Sequence, residues 1–389
     1  MHRIVFVIDQ KLDFFLSLAW VQLLRRFHPE QQVETWAVLV KGVVYPEFEP
    51  YLGEFDRIEV LDGPYPPGRA ELLRIPAMVA RARRFHREVR ALGLGPDDVV
   101  VAYSFRELVL NSMIRALKPR PHLVRVRGFA DDSGQSFTRR RPHISIYRNV
   151  WNRAFGHSAL RYRWTVDSNR HAAGRFIDDP YDDEFRLTTL AAAERAGELA
   201  WPYPVLREAY AHGDGAARPT IVFLGEIYPP VEGMPLDEFR PFLSGILAAI
   251  RAGYPEHRHV FKPRSPDSLT GLDLTGWEVA YVDDVVESLM LKEPAIEKVL
   301  SFKSSGSLVA AQYGCEAYVL YPLLDLPAEF RTMLDGFFAD YRDTVTFVSD
   351  LEQVLRPGPR TPVHESAARV AELARPLIDL LANPPRGRR

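Results

Sequence analysis

Short β-rich runs alternate with longer amphipathic helical patterns through most of the 389-residue chain. Residues 2–9 predict a strand, and the following QKLDFFLSLAWVQLLRRF predicts an amphipathic helix. Such alternation is typical of βαβ units and favours a mostly parallel sheet. The pattern continues with strands at 33–41, 56–62, 97–103 and 122–129, helices over 69–92 and 105–117, and, less regularly, a helix near 144–156, a strand near 160–167 and a helix near 187–199.

The polar segment HGDGAARP at 212–219 predicts a linker, because small residues and a terminal proline interrupt regular structure. A second alternating set follows, with strands at 220–225, 257–262, 277–282, 297–302 and 317–321 and a helix over 235–253. We therefore expect an α/β chain of two Rossmann-like, doubly wound domains, at 1–211 and 219–360, with a C-terminal helix and basic tail at 361–389. Ligands bind at the carboxyl ends of parallel strands, so the cleft between two such domains is the expected site.

Composition excludes several classes of protein. The chain has 49 basic and 51 acidic side chains and a formal charge of -2. This balance argues against nucleic-acid binding driven by the net charge of the whole protein. The single cysteine, Cys315, excludes an internal disulfide and a multi-cysteine metal site, and its apolar surroundings predict a buried small hydrophobe. We see no signal peptide and no apolar run of membrane-spanning length, so a cytoplasmic protein is expected. The basic tail PPRGRR is consistent with peripheral contact with anionic lipid at the inner face of the membrane.

Three segments at predicted strand ends are candidates for chemistry. The first is FADDSGQS at 129–136, where Asp131 and Asp132 follow a strand. A neighbouring carboxylate and partial burial raise the pKa of one of the two groups, and such a pair can supply a general base. A polar turn explains the same residues, since Asp, Ser and Gly are standard turn residues.

The second segment is HVFKPRSP at 259–266. Its prolines stiffen the loop, and Lys262 or Arg264, flanking Pro263, could neutralise a phosphate. A solvated loop is the alternative interpretation.

The third segment is SFKSSGS at 301–307, where a strand ends and a helix begins. Ser304, Ser305 and Ser307 bring hydroxyls to the positive end of a helix dipole, and Gly306 permits close approach of a backbone. This favours an anion site, although serine N-caps alone account for the same pattern. Gly314 predicts the end of the helix.

Other site types lack their motifs. The sequence has no GxxxxGK[ST], no GxGxxG after the first strand, no HExxH, no Cys/His cluster and no GxSxG. Asp283 and Asp284 lead into a helical pattern and are interpreted as helix-start carboxylates. We therefore expect neither a metal site nor a dinucleotide or other cofactor.

The three segments, in this order, resemble the bacterial GT-B sialyltransferases, in particular the lipooligosaccharide sialyltransferase and capsular polysialyltransferase group. Asp131-Asp132-Ser133-Gly134 is similar to the acidic motif of that family's first domain, with a serine inserted before the glycine. Lys262-Pro263-Arg264-Ser265-Pro266 is similar to its Lys-Pro-His-Pro-like motif, with Arg264 in place of the histidine and one added residue. Ser304-Ser305 is similar to its late serine motif, and the likeness spans roughly residues 125–315.

This resemblance implies an inverting, metal-independent transferase that moves an acidic sugar, sialic acid first, from a CMP-sugar to an oligo- or polysaccharide. Asp131, or failing it Asp132, would take the acceptor proton, while Lys262, Arg264 and residues 304–307 would stabilise the leaving CMP phosphate. The resemblance also assigns Glu287 to the ribose of CMP and the backbone near Gly225 and Glu226 to the nucleotide site. A helix-surface glutamate remains the alternative for Glu287.

Basic residues flank the predicted catalytic loop. Arg125 and Arg127 are alternate residues of one predicted strand and therefore point the same way. With Arg139, Arg140 and Arg141 they would suit an anionic acceptor, such as a phosphorylated or sialylated glycan. A solvated loop is the alternative for the arginine triplet.

Two other functions remain open at this stage. The chain could use another donor, CMP-Kdo or a UDP- or GDP-sugar, on the same architecture. The inserted serine and the missing histidine also leave open a degenerate scaffold that binds nucleotide or sugar without catalysis.

Overall fold

The computed structural model describes residues 2–40, 44–63, 75–103, 108–128, 153–156, 160–163, 173–176, 181–211, 218–225, 234–264, 270–356 and 366–385. The chain forms two compact units. The first contains Met1–Thr188, Gly197–Leu199 and Leu373–Arg389, and the second contains Thr189–Ala196 and Ala200–Glu372.

The first unit is built on a seven-stranded sheet of order β3-β2-β1-β4-β5-β8-β9. Its neighbouring strands from β3 to β8 pair in parallel. The strands are β1 (His2–Ile8), β2 (Val33–Leu39), β3 (Arg57–Val60), β4 (Val99–Ala102), β5 (His122–Arg127), β8 (Asp183–Thr188) and β9 (Leu199–Ala200), and β6 (Leu160–Arg163) and β7 (Ala173–Phe176) form a separate antiparallel pair. The accompanying helices are α1 (Lys11–Phe27), α2 (Ile75–Ala91) and α3 (Leu108–Ala116), with a 3₁₀ helix at Pro46–Glu54.

Continuous burial explains why these strands form a parallel sheet. The last five residues of β1 and of β2 are all buried, as expected for strands covered on both faces. Helices α2 and α3 cover one face with Phe85, Val89 and Met113, each fully buried. Helix α1 begins with a capping box, in which the Asp13 carboxylate accepts the N–H of Gln10 at 3.0 Å.

The second unit has a six-stranded parallel sheet of order β12-β11-β10-β13-β14-β15. Its strands are β10 (Thr220–Leu224), β11 (Arg258–Lys262), β12 (Glu278–Val279), β13 (Ile296–Ser301), β14 (Glu316–Val319) and β15 (Thr346–Phe347). Its helices are α4 (Leu190–Ala196), α5 (Tyr203–Tyr210), α6 (Leu236–Gly253), α7 (Val286–Lys292), α8 (Gly306–Gln312), α9 (Ala328–Phe337) and α10 (Glu352–Leu355), with 3₁₀ turns at Tyr321–Leu323 and Ala339–Tyr341.

An aromatic core fills the second unit. Phe223 of β10 stacks on Phe261 of β11, with ring centroids 5.8 Å apart, and meets Trp277 and Phe302 edge to face. Helix α8 ends at Gln312, and Gly314 follows with φ +86°, the left-handed stop that the sequence predicts.

The final helix, α11 (Ala367–Ala382), belongs to the first unit from Leu373 onward. His2 of β1 bonds the Leu381 carbonyl at 2.8 Å, and His28 bonds the Asp379 carboxylate at 2.8 Å. Leu377 and Leu381 are fully buried, so the helix completes the packing of the first unit.

The prediction of two doubly wound α/β domains with parallel sheets is confirmed. The units do not follow the predicted limits, however. Helices α4 and α5 belong to the second unit, where Tyr203 of α5 stacks on Tyr313 with ring centroids 5.1 Å apart. The strand expected at 277–282 has two residues, because Tyr281 adopts a left-handed φ of +59° that extended backbone does not allow.

Candidate functional site

The candidate site lies at the carboxyl edge of the sheet in the second unit. Strands β10, β11 and β13 are neighbours, and their parallel order brings Gly225, Lys262 and Ser301 to the same edge. Chain order reverses between β10 and β13, since β11 and β12 lie on one side of β10 and the later strands on the other. This is the switch point at which open α/β sheets bind ligands.

Gly225 is required by the packing at this edge. Its N–H donates to the Lys262 carbonyl at 2.8 Å, extending the ladder one residue beyond β10. A Cβ at this position would lie 2.6 Å from the Phe261 ring and 3.3 Å from Cα of Pro263. A side chain does not fit, which keeps the backbone at the end of β10 bare.

Gly306 joins three elements of the site. A Cβ here would lie 2.7 Å from both Leu224 of β10 and Val286 of α7, and 3.2 Å from the Ser304 hydroxyl. The start of α8 is therefore pressed against the end of β10 and the start of α7. This contact brings the serine turn beside the helix that carries Glu287.

Hydrogen bonds inside the segment organise the serine turn. The Ser301 and Ser307 hydroxyls bond one another at 2.7 Å, and the Ser304 N–H donates to the Ser301 hydroxyl at 3.1 Å. The Ser304 hydroxyl accepts the Gly306 N–H at 3.1 Å. Ser301 and Ser307 are fully buried, whereas Ser304 is half-buried and Ser305 exposed. Of the predicted serines, only Ser304 and Ser305 therefore reach the surface, and Ser307 belongs to the internal framework of the turn.

The cationic loop begins with a buried lysine. Lys262 is only 8% exposed at the end of β11, Pro263 is buried, and Arg264 is exposed. Residues 265 and 266 lie outside the described residues. Burying an ammonium group is costly unless opposite charge or hydrogen bonds compensate it, so the environment of Lys262 has to be polar.

Glu287 supplies a nearby carboxyl group. It lies in the first turn of α7, is 6% exposed, and accepts a hydrogen bond from the Tyr203 hydroxyl at 3.4 Å. Burial raises the pKa of Glu287, and the Tyr203 hydroxyl and the positive charge of Lys262 offset part of that rise. A helix-surface position, the alternative considered from sequence, is thereby wrong for Glu287.

Tyr203 was missed from the sequence. It is stacked between Trp201 and Tyr313, at centroid distances of 5.6 and 5.1 Å. Burial raises the pKa of its phenol well above the ordinary value, so Tyr203 stays neutral and its hydroxyl donates a hydrogen bond to Glu287. An aromatic run around 201–203 is the only signal in the sequence, and it does not reveal a partner 84 residues away.

In the first unit, Arg125 and Arg127 share one partner. Both guanidinium groups donate to the Glu184 carboxylate, each at 2.9 Å. β5 and β8 pair so that Arg125 lies opposite Glu184. The two arginines point the same way, as alternation along the strand predicts, but an acid that the sequence did not suggest lies between them.

A second polar cluster, also missed from sequence, occupies the carboxyl edge of β1 and β4. Asp13 is 4% exposed and accepts the N–H of Asp9 at 3.1 Å. The Ser17 and Tyr103 hydroxyls bond one another at 2.9 Å. The order of the sheet reverses between β1 and β4, so this edge is the switch point of the first unit. A carboxylate directly after the first strand was the available signal.

Several predicted site residues lie outside the described residues, and their roles stay predictions. They are Asp131, Asp132, Arg139, Arg140, Arg141 and Glu226.

Among the residues that the structure describes, no group of three or more His, Cys, Asp or Glu side chains is arranged to hold a metal ion. Within the same ranges, no helix has the length and apolar character needed to cross a membrane.

No protein-family model matches the chain, and no curated protein matches it. Solved structures with a similar course of the chain include an Escherichia coli ADP-heptose lipopolysaccharide heptosyltransferase II, at 10% identity and TM-score 0.40 over 97% of this chain and 98% of that one. The GT-B domain of a sialyltransferase from Photobacterium damselae is similar at 12% identity and TM-score 0.46, and the match covers 89% of this chain and 100% of that one. A UDP-GlcNAc 2-epimerase from Methanocaldococcus jannaschii is similar at 10% identity and TM-score 0.45, and the match covers 96% of this chain and 99% of that one. These values are too low to carry an activity from those proteins to this chain.

Proposed function

We propose that this chain is a glycosyltransferase that takes an acidic sugar from a CMP-sugar, with sialic acid as the first candidate. The observation that carries the proposal is the convergence of Gly225, Lys262, Glu287 and Ser304 at the switch point of the second unit. The resemblance to bacterial GT-B sialyltransferases assigns each of these residues to the nucleotide. Their convergence supports a nucleotide site but does not by itself select the base.

Buried charge is the physical reason to expect a ligand here. Lys262 and Glu287 are both more than nine-tenths buried. Ionisable groups are costly to bury unless they are paired or hydrogen-bonded, and such groups are frequent at functional sites. A CMP phosphate would bring negative charge to Lys262 and to the exposed guanidinium of Arg264.

The chemistry proposed is a single displacement. The acceptor hydroxyl oxygen attacks the anomeric carbon of the donor sugar, and Asp131, or failing it Asp132, takes the hydroxyl proton. The bond from the anomeric carbon to the phosphate oxygen breaks, and CMP leaves with the electron pair. Lys262, Arg264 and the Ser304–Ser305 turn stabilise the charge that develops on the phosphate.

Calorimetry with CMP, UDP and GDP tests the nucleotide. We expect CMP to bind most tightly, and Lys262→Met to weaken it roughly ten- to hundredfold, the effect of losing a hydrogen bond to a charged group. Lys292→Met is the matched control, because Lys292 is exposed and pairs with Asp284 at 2.7 Å. Tight UDP binding without CMP binding would reject the CMP-sugar as donor. Equal losses of CMP affinity in Lys262→Met and Lys292→Met would reject the proposed nucleotide site.

Turnover is tested separately. Wild type is incubated with CMP-Neu5Ac or CMP-Kdo and a panel of sugar acceptors, and products are detected by mass spectrometry. We expect Asp131→Asn or Asp132→Asn to abolish transfer while CMP affinity is unchanged. CMP binding without any transfer, or transfer that survives both substitutions, would favour the non-catalytic scaffold or a different base.

A further inference from the structure

Helix α2 concentrates positive charge in a chain whose total charge is slightly negative. Residues 75–91 contain five arginines and one glutamate, against 49 basic and 51 acidic side chains in the whole chain. Its apolar side, with Met78, Ala82, Phe85 and Val89, is buried in the core of the first unit. The arginines therefore concentrate on the outward side of the helix.

Three of these arginines form a row. Arg83, Arg87 and Arg90 are spaced by four and three residues, so they lie along one face over about 10 Å of the helix axis. All three are exposed, and none has an ion-pair partner among the described residues. Arg84 flanks the row and pairs with Glu88 at 2.7 Å and with Asp62 at 3.5 Å.

The positive charge extends sideways onto α3. Arg115 is exposed and donates to the Gly156 carbonyl at 3.1 Å. Burial lowers the pKa of His86 on α2, and the charges of Arg115 and Arg90 lower it further, so both cations lie within electrostatic reach of that ring. The charge thus spreads in two directions, along one helix and across to the next.

Small side chains flank the arginine row on the exposed face. Pro76, Ala77, Ala80 and Ala91 are exposed there, and no aromatic side chain of α2 is exposed. Small residues let the helix approach a flat partner closely while the long arginine side chains reach outward. Single-stranded nucleic acid is bound largely by stacking on exposed aromatic side chains, and α2 exposes none.

We propose that the face formed by Arg83, Arg84, Arg87 and Arg90 of α2, with Arg115 of α3, docks onto an anionic phospholipid surface. Lipid phosphates form a plane of negative charge, and planar guanidinium groups bind phosphate oxygens in pairs. The cations spread along α2 and across to α3, which matches a planar lipid surface better than a linear polyanion. The proposal does not depend on the proposed function.

Vesicle flotation with the full chain tests it. We expect wild type to float with phosphatidylcholine vesicles containing 30 mol% phosphatidylglycerol but not with pure phosphatidylcholine, and binding to fall between 50 and 300 mM NaCl. The variant Arg83→Ala/Arg87→Ala/Arg90→Ala should lower the partition coefficient on the order of a hundredfold. Circular dichroism and thermal unfolding should match wild type, because the three side chains are exposed.

The matched control removes the same charge elsewhere. Arg195→Ala/Arg342→Ala/Arg356→Ala changes three exposed arginines of the second unit and should bind vesicles as wild type does. Three outcomes would each overturn the proposal. The two triple variants could lose vesicle binding equally, or wild type could bind neutral vesicles as well as anionic ones. Wild type could also bind a 20-mer oligonucleotide and neither kind of vesicle.

Discussion

Gly306 offers a direct test of how the candidate site is assembled. In Gly306→Ala, the new Cβ would lie 2.7 Å from side-chain carbons of Leu224 and Val286, where ordinary contact begins near 3.4 Å. Each neighbour must retreat by about 0.7 Å, or α8 must move as a whole. Overpacking of this kind costs roughly 1–3 kcal/mol of unfolding free energy.

Gly245→Ala is the internal control. Gly245 lies inside α6 of the same unit, and apart from its own helix backbone nothing lies within 4 Å of the position a Cβ would take. Alanine removes the entropic cost of glycine in a helix, so this variant should gain about 1 kcal/mol. The same chemical change is therefore expected to have opposite signs at the two positions.

The assay is hydrogen exchange followed by mass spectrometry, because a two-unit chain need not unfold in a single step. Peptides covering β13 and α8 should exchange faster in Gly306→Ala, while peptides of the first unit keep wild-type rates. Chemical unfolding followed by intrinsic tryptophan fluorescence gives the sign of the stability change. A Gly306→Ala variant as stable as wild type, with unchanged exchange, would refute the close packing of α8 on β10 and α7.

Two further predictions concern pH. Burial raises the folded pKa of Glu287 above that of the unfolded chain, so its contribution to stability is present below pH 4.5 and is lost as pH rises through the folded value. Glu287→Gln should therefore gain stability relative to wild type between pH 4 and pH 8. A difference in the free energy of urea unfolding that stays constant over this range would contradict the prediction. Asp98 behaves oppositely, because burial raises its pKa but hydrogen bonds from Arg3 and the Gly95 N–H lower it by more. Asp98→Asn should cost about 1.5–3 kcal/mol at pH 7, and this deficit should shrink as pH falls below 3.8 through the depressed folded value. Equal deficits at pH 7 and pH 3 in the same unfolding measurement would argue against the Arg3–Asp98 pair as the cause.

Local patterns predicted most of the regular structure. The buried strands β1, β2, β10 and β13 are short apolar runs followed by helical periodicity, and both signals are contained in a few neighbouring residues. Gly314 was predictable for the same reason, since a left-handed stop depends on one residue and its helix.

What could not be predicted depends on contacts between distant residues. Gly306 suggested room for a ligand, whereas its packing against Leu224 and Val286 is what excludes a side chain there. Ser307 was grouped with the exposed serines, because nothing local shows that its hydroxyl bonds Ser301. Glu184, which pairs with Arg125 and Arg127, comes from a strand almost sixty residues away. Hydrophobic periodicity carries no information about such partners.

The return of α11 to the first unit has a consequence for synthesis on the ribosome. Residues up to Thr188 emerge first, but Leu377, Ile378 and Leu381, which are fully buried, are translated only after the entire second unit. Until then the nascent first unit lacks part of its apolar packing and exposes surface that chaperones recognise. A nascent chain stalled before residue 373 should therefore be held by chaperones, although the sheet of its first unit is already complete in sequence from β1 to β8.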